Sequence, residues 1–136
     1  MRSIFALPLI ALCACGEERS PALSNLSFDG QAPDSPLVLL LSVDFEDDVG
    51  DLSEGGLDTF INQRATSAGA LELLPIFLAS DVEPDARSGT LKFVLELSFR
   101  DSAPEDGTSF TLGARATDGA RNTSSTQEIK LRLETE

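Results

Sequence analysis

The chain has 136 residues, with 23 acidic against 10 basic side chains, a formal net charge of −13, and no histidine, tryptophan or tyrosine. Without histidine, and with both cysteines inside the first fifteen residues, it has no Ser-His-Asp or Cys-His machinery and no ordinary zinc or copper site. The excess of negative charge repels phosphate backbones, which argues against nucleic acid as a partner, and phenylalanine alone is left to stack on sugars or bases.

The first element in chain order is a leader. Arg2 supplies a positive start, Ile4 to Leu12 is an apolar run interrupted only by Pro8, and small residues follow before Glu17 and Glu18. This is the layout of a secretory signal, too short to span a bilayer as a helix. Its last four residues, Leu12-Cys13-Ala14-Cys15, resemble the lipobox of bacterial lipoproteins, in which a leucine and two small residues precede the cysteine that receives the lipid. The resemblance implies that residues 1–14 leave as the signal peptide, Cys13 with them, and that Cys15 becomes the acylated first residue of the mature chain. A structural C-x-C disulfide is the competing reading, and it gives no reason for the apolar leader. Gly16 stands where aspartate would favour inner-membrane retention, so the implied address is the outer membrane. The partner implied there is the bilayer itself, through a lipid anchor.

After the anchor comes a tether at residues 15–22, polar and proline-containing, and then a domain over residues 23–136. About 120 residues follow Cys15, enough for one domain with its own core. From Leu23 onward the apolar pattern has a period of two. Leu23 to Phe28 is the first expected strand. Leu37 to Phe45 is the second, apolar on both faces at its start and so placed centrally in its sheet. Leu57 to Arg64 and Ala70 to Ala79 are weaker strands, the latter at an edge or bulge because of Pro75. A helix competes over Leu57 to Leu74, against which Thr59, Ile61, Thr66 and Gly69 weigh. Leu91 to Phe99 is the clearest strand, with Leu91, Phe93, Leu95, Leu97 and Phe99 on one face and Lys92, Glu96 and Ser98 on the other. Ser109 to Thr117 turns Phe110, Leu112, Ala114 and Ala116 inward, and Glu128 to Glu134 does the same with Ile129, Leu131 and Leu133. Seven short strands with turn residues between them predict a single immunoglobulin-like antiparallel β-sandwich, all-β in class. Phenylalanines fall at 28, 45, 60, 77, 93, 99 and 110, mostly one to a strand, and read as core.

The stretch from Gly107 through Asp118, with Gly119-Ala120-Arg121-Asn122-Thr123-Ser124 after it, resembles the penultimate strand and following turn of fibronectin type III and bacterial Ig-like domains. An aromatic residue, alternating apolar positions and an alanine lead there to an aspartate and a turn. Asp118, Asn122 and Ser124 match that pattern, while Arg121 stands where the family has glycine. The resemblance implies a surface-protein fold used for spacing, adhesion and contact with proteins or glycans, and a fold does not fix a function.

From the end of the second strand to the start of the third, Asp44, Glu46, Asp47, Asp48, Asp51, Glu54 and Asp58 crowd with no basic residue among them. Such a run is either a solvated anionic face or a cation ligand set. The spacing of Asp44, Glu46, Asp48 and Asp51 makes these four the candidate calcium ligands. An EF-hand is excluded, since Val49 stands where it needs glycine and Gly55 where it needs an acid. Three functional readings follow: a non-enzymatic envelope lipoprotein whose domain binds, adheres or spaces; a calcium-dependent adhesion or stability module; and a small hydrolase using two carboxylates.

Overall fold

The computed structural model describes residues 20–66, 69–97 and 109–132, and the leader, Cys15, Phe99 and Leu133 lie outside them. Two antiparallel sheets pack face to face. The first contains β1 (Ala22–Ala32), β2 (Ser35–Glu46) and β6 (Ser88–Glu96) in the order β1-β2-β6. The second contains β3 (Gly56–Ile61), β4 (Arg64–Ala65), β7 (Ser109–Thr117) and β8 (Gln127–Arg132) in the order β4-β3-β7-β8, with the short β5 (Leu71–Glu72) also pairing with β3. The chain is therefore an all-β sandwich, with eight strands among the described residues where seven were expected. The extra count comes from two-residue pieces, since the expected strand Leu57 to Arg64 divides at a tight turn into β3 and β4.

That turn is Ile61-Asn62-Gln63-Arg64, with φ of 50° at Asn62 and 72° at Gln63. Two consecutive left-handed residues make a turn whose twist matches the strands it joins, and asparagine tolerates the first position well. Asn62 adds a second tie, its Oδ1 accepting the Thr111 N–H at 3.0 Å.

Side-chain alternation builds the core. Leu39, Leu41, Val43 and Phe45 of β2 meet Leu95, Phe93, Leu91 and Gly89 of β6 in register, and Leu57, Thr59 and Ile61 of β3 lie opposite Ala116, Ala114 and Leu112 of β7. Apart from Gly89 these face inward and are buried. β2 has a neighbour on each side, as its doubly apolar start predicts. Thr59 is the polar member of this layer; its hydroxyl is satisfied by that of Thr66 at 2.7 Å, so its burial leaves no group unpaired.

One expected strand is a helix. Ala70 to Ala79 pairs only at β5 and then coils into α1 (Leu73–Ala79). Pro75 lies in the first turn of α1, where an N–H has no partner in the helix and its absence costs nothing. Leu73 and Phe77, four residues apart, share the buried face, whereas Leu74 and Leu78 are exposed. Phe77 packs its ring 5.0 Å from that of Phe45 at an interplanar angle of 52°, the tilted contact that aromatic quadrupoles favour. Just after α1, the Ser80 hydroxyl accepts the Lys92 N–H at 2.8 Å and donates to the Lys92 carbonyl at 3.3 Å. It thus occupies both backbone groups of one residue on the outer edge of β6. Of the phenylalanines, 45, 77, 93 and 110 are buried and Phe28 packs against the core. Phe60 turns outward, where the Arg115 guanidinium sits 5.2 Å above its ring and 3.2 Å from Asp58.

The loop from β2 to β3 closes against the end of β7 at Gly55. A Cβ there would stand 1.7 Å from the Thr117 carbonyl oxygen, well inside atomic contact, and the obstacle is backbone rather than a side chain that can swing away. Gly55→Ala is therefore expected to lower stability by about 3 kcal/mol or more, at the upper end of overpacking effects. Urea titration of both proteins checks this.

Candidate functional site

The four acids with calcium-like spacing do not gather at one point. Asp44 lies on the outer face of β2, where its carboxylate accepts a hydrogen bond from Asn25 Nδ2 at 2.8 Å and another from Thr90 Oγ1 at 2.6 Å. It ties all three strands of the first sheet together from outside. Asn25 reaches it because the β1 ladder slips between Ser24 and Ser27, where Asn25 has φ of 55°. These two bonds, Asn25's first, hold the Asp44 carboxyl below its ordinary pKa, against a small opposing effect of burial. Glu46 ends β2, exposed, and Asp48 is exposed in the loop after it. Among the described residues, Asp51 is the one of these four that belongs to a group of acids close enough to share an ion.

That group is Asp47, Asp51 and Asp118, each offering one carboxylate oxygen within 4.8 Å of the others. Asp47 and Asp118 are almost wholly buried, at 1% and 2% exposure. Each organises its own segment. Asp47 accepts the Asp51 N–H at 3.0 Å and, more weakly, that of Val49 at 3.4 Å, while its own N–H donates to the Arg87 carbonyl at 2.7 Å. Asp118 accepts the N–H groups of Ala120 at 2.9 Å and Asn122 at 2.8 Å, and the Asn122 side-chain amide at 3.2 Å. Backbone bonds from Asp118 N–H to the Asn122 carbonyl and from Arg121 N–H to the Asp118 carbonyl complete the turn. Ser124 follows as its outer brace, accepting the Ala116 N–H at 2.9 Å. The segments are joined where Gly119 N–H donates to the Asp51 carbonyl at 3.2 Å. Gly119 sits close against side chains there, and a Cβ would meet Glu54 Oε1 at 2.7 Å, so that the Glu54 carboxylate would have to move.

Asp51 is the member with least support. Its Oδ1 is buried and accepts no hydrogen bond from the described residues. Burial first, then the Asp118 charge and the hydrogen bond and charge of Asp47, raise its pKa, with a backbone bond opposing them. Three carboxylates at this spacing have two ways to reduce their repulsion: a proton on Asp51, or a divalent cation among them. An oxygen-only donor set suits a hard cation, and calcium, which accepts six to eight oxygens in loose geometry, fits three carboxylates better than magnesium with its strict octahedron. Asp47 and Asp118 were not among the acids chosen on spacing. The pleat of β2 held the signal for Asp47: with Leu39, Leu41, Val43 and Phe45 inward, the next odd position points inward too.

Elsewhere, a shallow hollow of about 470 Å³ on the outer face of the first sheet is lined by Asp29, Leu40, Ser42, Thr90, Lys92 and Val94 among others. It brings a single carboxylate together with a lysine.

Arg121 has φ of 73°, the left-handed conformation that the sequence pattern assigns to glycine. A Cβ in that region strains the backbone. Arg121→Gly should raise stability by up to about 1 kcal/mol, seen as a higher melting temperature. Asp51 gives a prediction of opposite pH sense to Asp44. Because its pKa is raised on folding, the folded chain holds more protons than the unfolded one between about pH 4 and the raised value, and stability falls as pH rises through that window. Asp51→Asn should therefore melt higher than the parent at neutral pH in chelator, and the gap should close once both are below about pH 4. The Asp44 contribution, present above the ordinary carboxylate pKa and lost as pH falls through its lowered value, is common to both proteins and cancels in the comparison.

No family model, curated protein or solved structure matches the chain, so the meaning of this acidic pole rests on its own residues and geometry.

Proposed function

We propose that this chain is a cell-envelope lipoprotein, acylated at Cys15 and held at the outer membrane, whose immunoglobulin-like domain serves as a non-enzymatic binding, adhesion or spacer module. The observation that carries the reading is the short distance in sequence between the lipobox and the sandwich. Pro21 is buried and Ala22 opens β1, so five residues, Gly16 to Ser20, separate the acceptor cysteine from the folded body. The strand order supports the immunoglobulin-like part: the first, second and sixth strands form one sheet and the third, seventh and eighth the core of the other, the arrangement of A, B, E against C, F, G. An envelope protein or glycan is the partner class this fold would meet. Cys15→Ala should abolish fatty-acid labelling and release the protein from the membrane fraction, while Cys13→Ala leaves both unchanged. Labelling that persists in the Cys15 variant overturns the assignment.

A second reading is a calcium-dependent stability module. The buried Asp51 Oδ1, left without a donor beside two buried carboxylates, favours it, with Asp47, Asp51 and Asp118 as ligands in place of the set Asp44, Glu46, Asp48 and Asp51. A cation that binds only the folded chain raises its stability by mass action. Millimolar calcium is expected to raise the melting temperature, magnesium to do so less, and sodium chloride at equal ionic strength least, since screening alone does not require convergence. Asp51→Asn should lose the calcium increment. Equal shifts with calcium and sodium would reduce the group to an anionic face.

A further inference from the structure

The point at which the chain enters the sandwich fixes which end lies near an anchor. Ala22, the first residue of β1, pairs with Glu46, the last residue of β2, and Asp47 is the next residue along. The entry point and the Asp47, Asp51 and Asp118 group therefore share one pole. Loop residues Pro84 and Asp85 belong to the same pole, since the Ser53 hydroxyl donates to the Pro84 carbonyl at 2.7 Å and the Asp85 carbonyl lies against Gly50. At the other pole are the β1–β2 turn at Pro33 and Asp34, the β3–β4 turn at Asn62 and Gln63, and the ends of β6 and β8.

Two lengths decide the consequence. With five residues between them, Cys15 and Pro21 are at most about 22 Å apart even when the chain is fully extended. The twelve residues of β2 run about 36 Å from one pole to the other at a strand's rise per residue. The tether is thus well short of the long axis of the body it holds, too short to let the sandwich turn over and bring its far pole to the headgroups while the entry pole points away.

We infer that the acidic pole faces the bilayer, and that the opposite pole, with the Pro33–Asp34 and Asn62–Gln63 turns, points away from it. This rests on acylation at Cys15. The lipid surface that fits the acidic pole is zwitterionic, since its headgroups press no net negative charge against Asp47, Asp51 and Asp118.

The test uses the full lipidated chain in vesicles of zwitterionic lipid containing a fraction with a nitroxide on the headgroup. With Cys15 blocked by its lipid, single cysteines carrying a fluorophore are placed at the entry pole by Glu83→Cys and Ala120→Cys and at the far pole by Asp34→Cys and Glu96→Cys, all exposed positions. The expected result is quenching several-fold stronger at Glu83 and Ala120 than at Asp34 and Glu96. Equal quenching at all four, as for a domain lying on its side, or stronger quenching at the far pole, overturns the orientation while leaving the anchor intact. Protein that fails to float with the vesicles overturns the anchor, and the orientation with it.

Discussion

The contact on which the acidic pole depends is the approach of Gly55 to the Thr117 carbonyl. To seal the sandwich, the loop leaving β2 must reach β3 across the end of β7, and the main chains come so close that a methyl group has no place between them. One turn further on Gly119 is also approached closely, by the side chains of Glu54 and Asp51. Closing the fold in this way brings Asp47 and Asp51 of one loop against Asp118 of another. The crowding of charge is therefore a product of chain packing as much as of composition.

This explains why polar groups that would be costly in a core are kept at the pole. Asp47 and Asp118 are buried, but each is solvated by the amides of its own segment, so each works as a template that holds an irregular loop in one shape. Asp51 has no such return: its main chain serves the structure, through its N–H to Asp47 and its carbonyl to Gly119, while its side chain is carried into the group with one oxygen unmatched. Destabilised groups persist where a site is built for a ligand or where the backbone leaves no alternative. At Asp51 the main-chain bonds to Asp47 and Gly119 set the side chain beside the other two carboxylates.

Strands were legible in the sequence wherever one face is buried and the other wet, because the pleat then writes itself as alternation. Leu91 to Leu95 and Phe110 to Ala116 are plain for that reason. α1 was not, since seven residues span barely two turns and its signal reduces to Leu73 and Phe77 four apart; Pro75, read as a strand irregularity, belongs to its first turn. The acidic site was half legible. A run of carboxylates can be seen in one dimension, but which of them meet depends on the inward phase of β2 and on a partner, Asp118, that only folding brings near. In the turn after β7, Asp118 accepts the Asn122 N–H, Ser124 accepts the Ala116 N–H, and Arg121 has a left-handed backbone angle at the position where the resembled pattern has glycine.

Ser80 carries a consequence of a different kind. An edge strand offers its unpaired amides and carbonyls to any extended chain that drifts alongside, including another copy of itself. On β6 the hydroxyl of one serine answers both groups of Lys92, imitating the bonds that a neighbouring strand would make without presenting an edge of its own. A second chain cannot zip along β6 past that residue unless it first displaces the serine. One small side chain at the end of a short helix thereby works as a stopper against sheet growth.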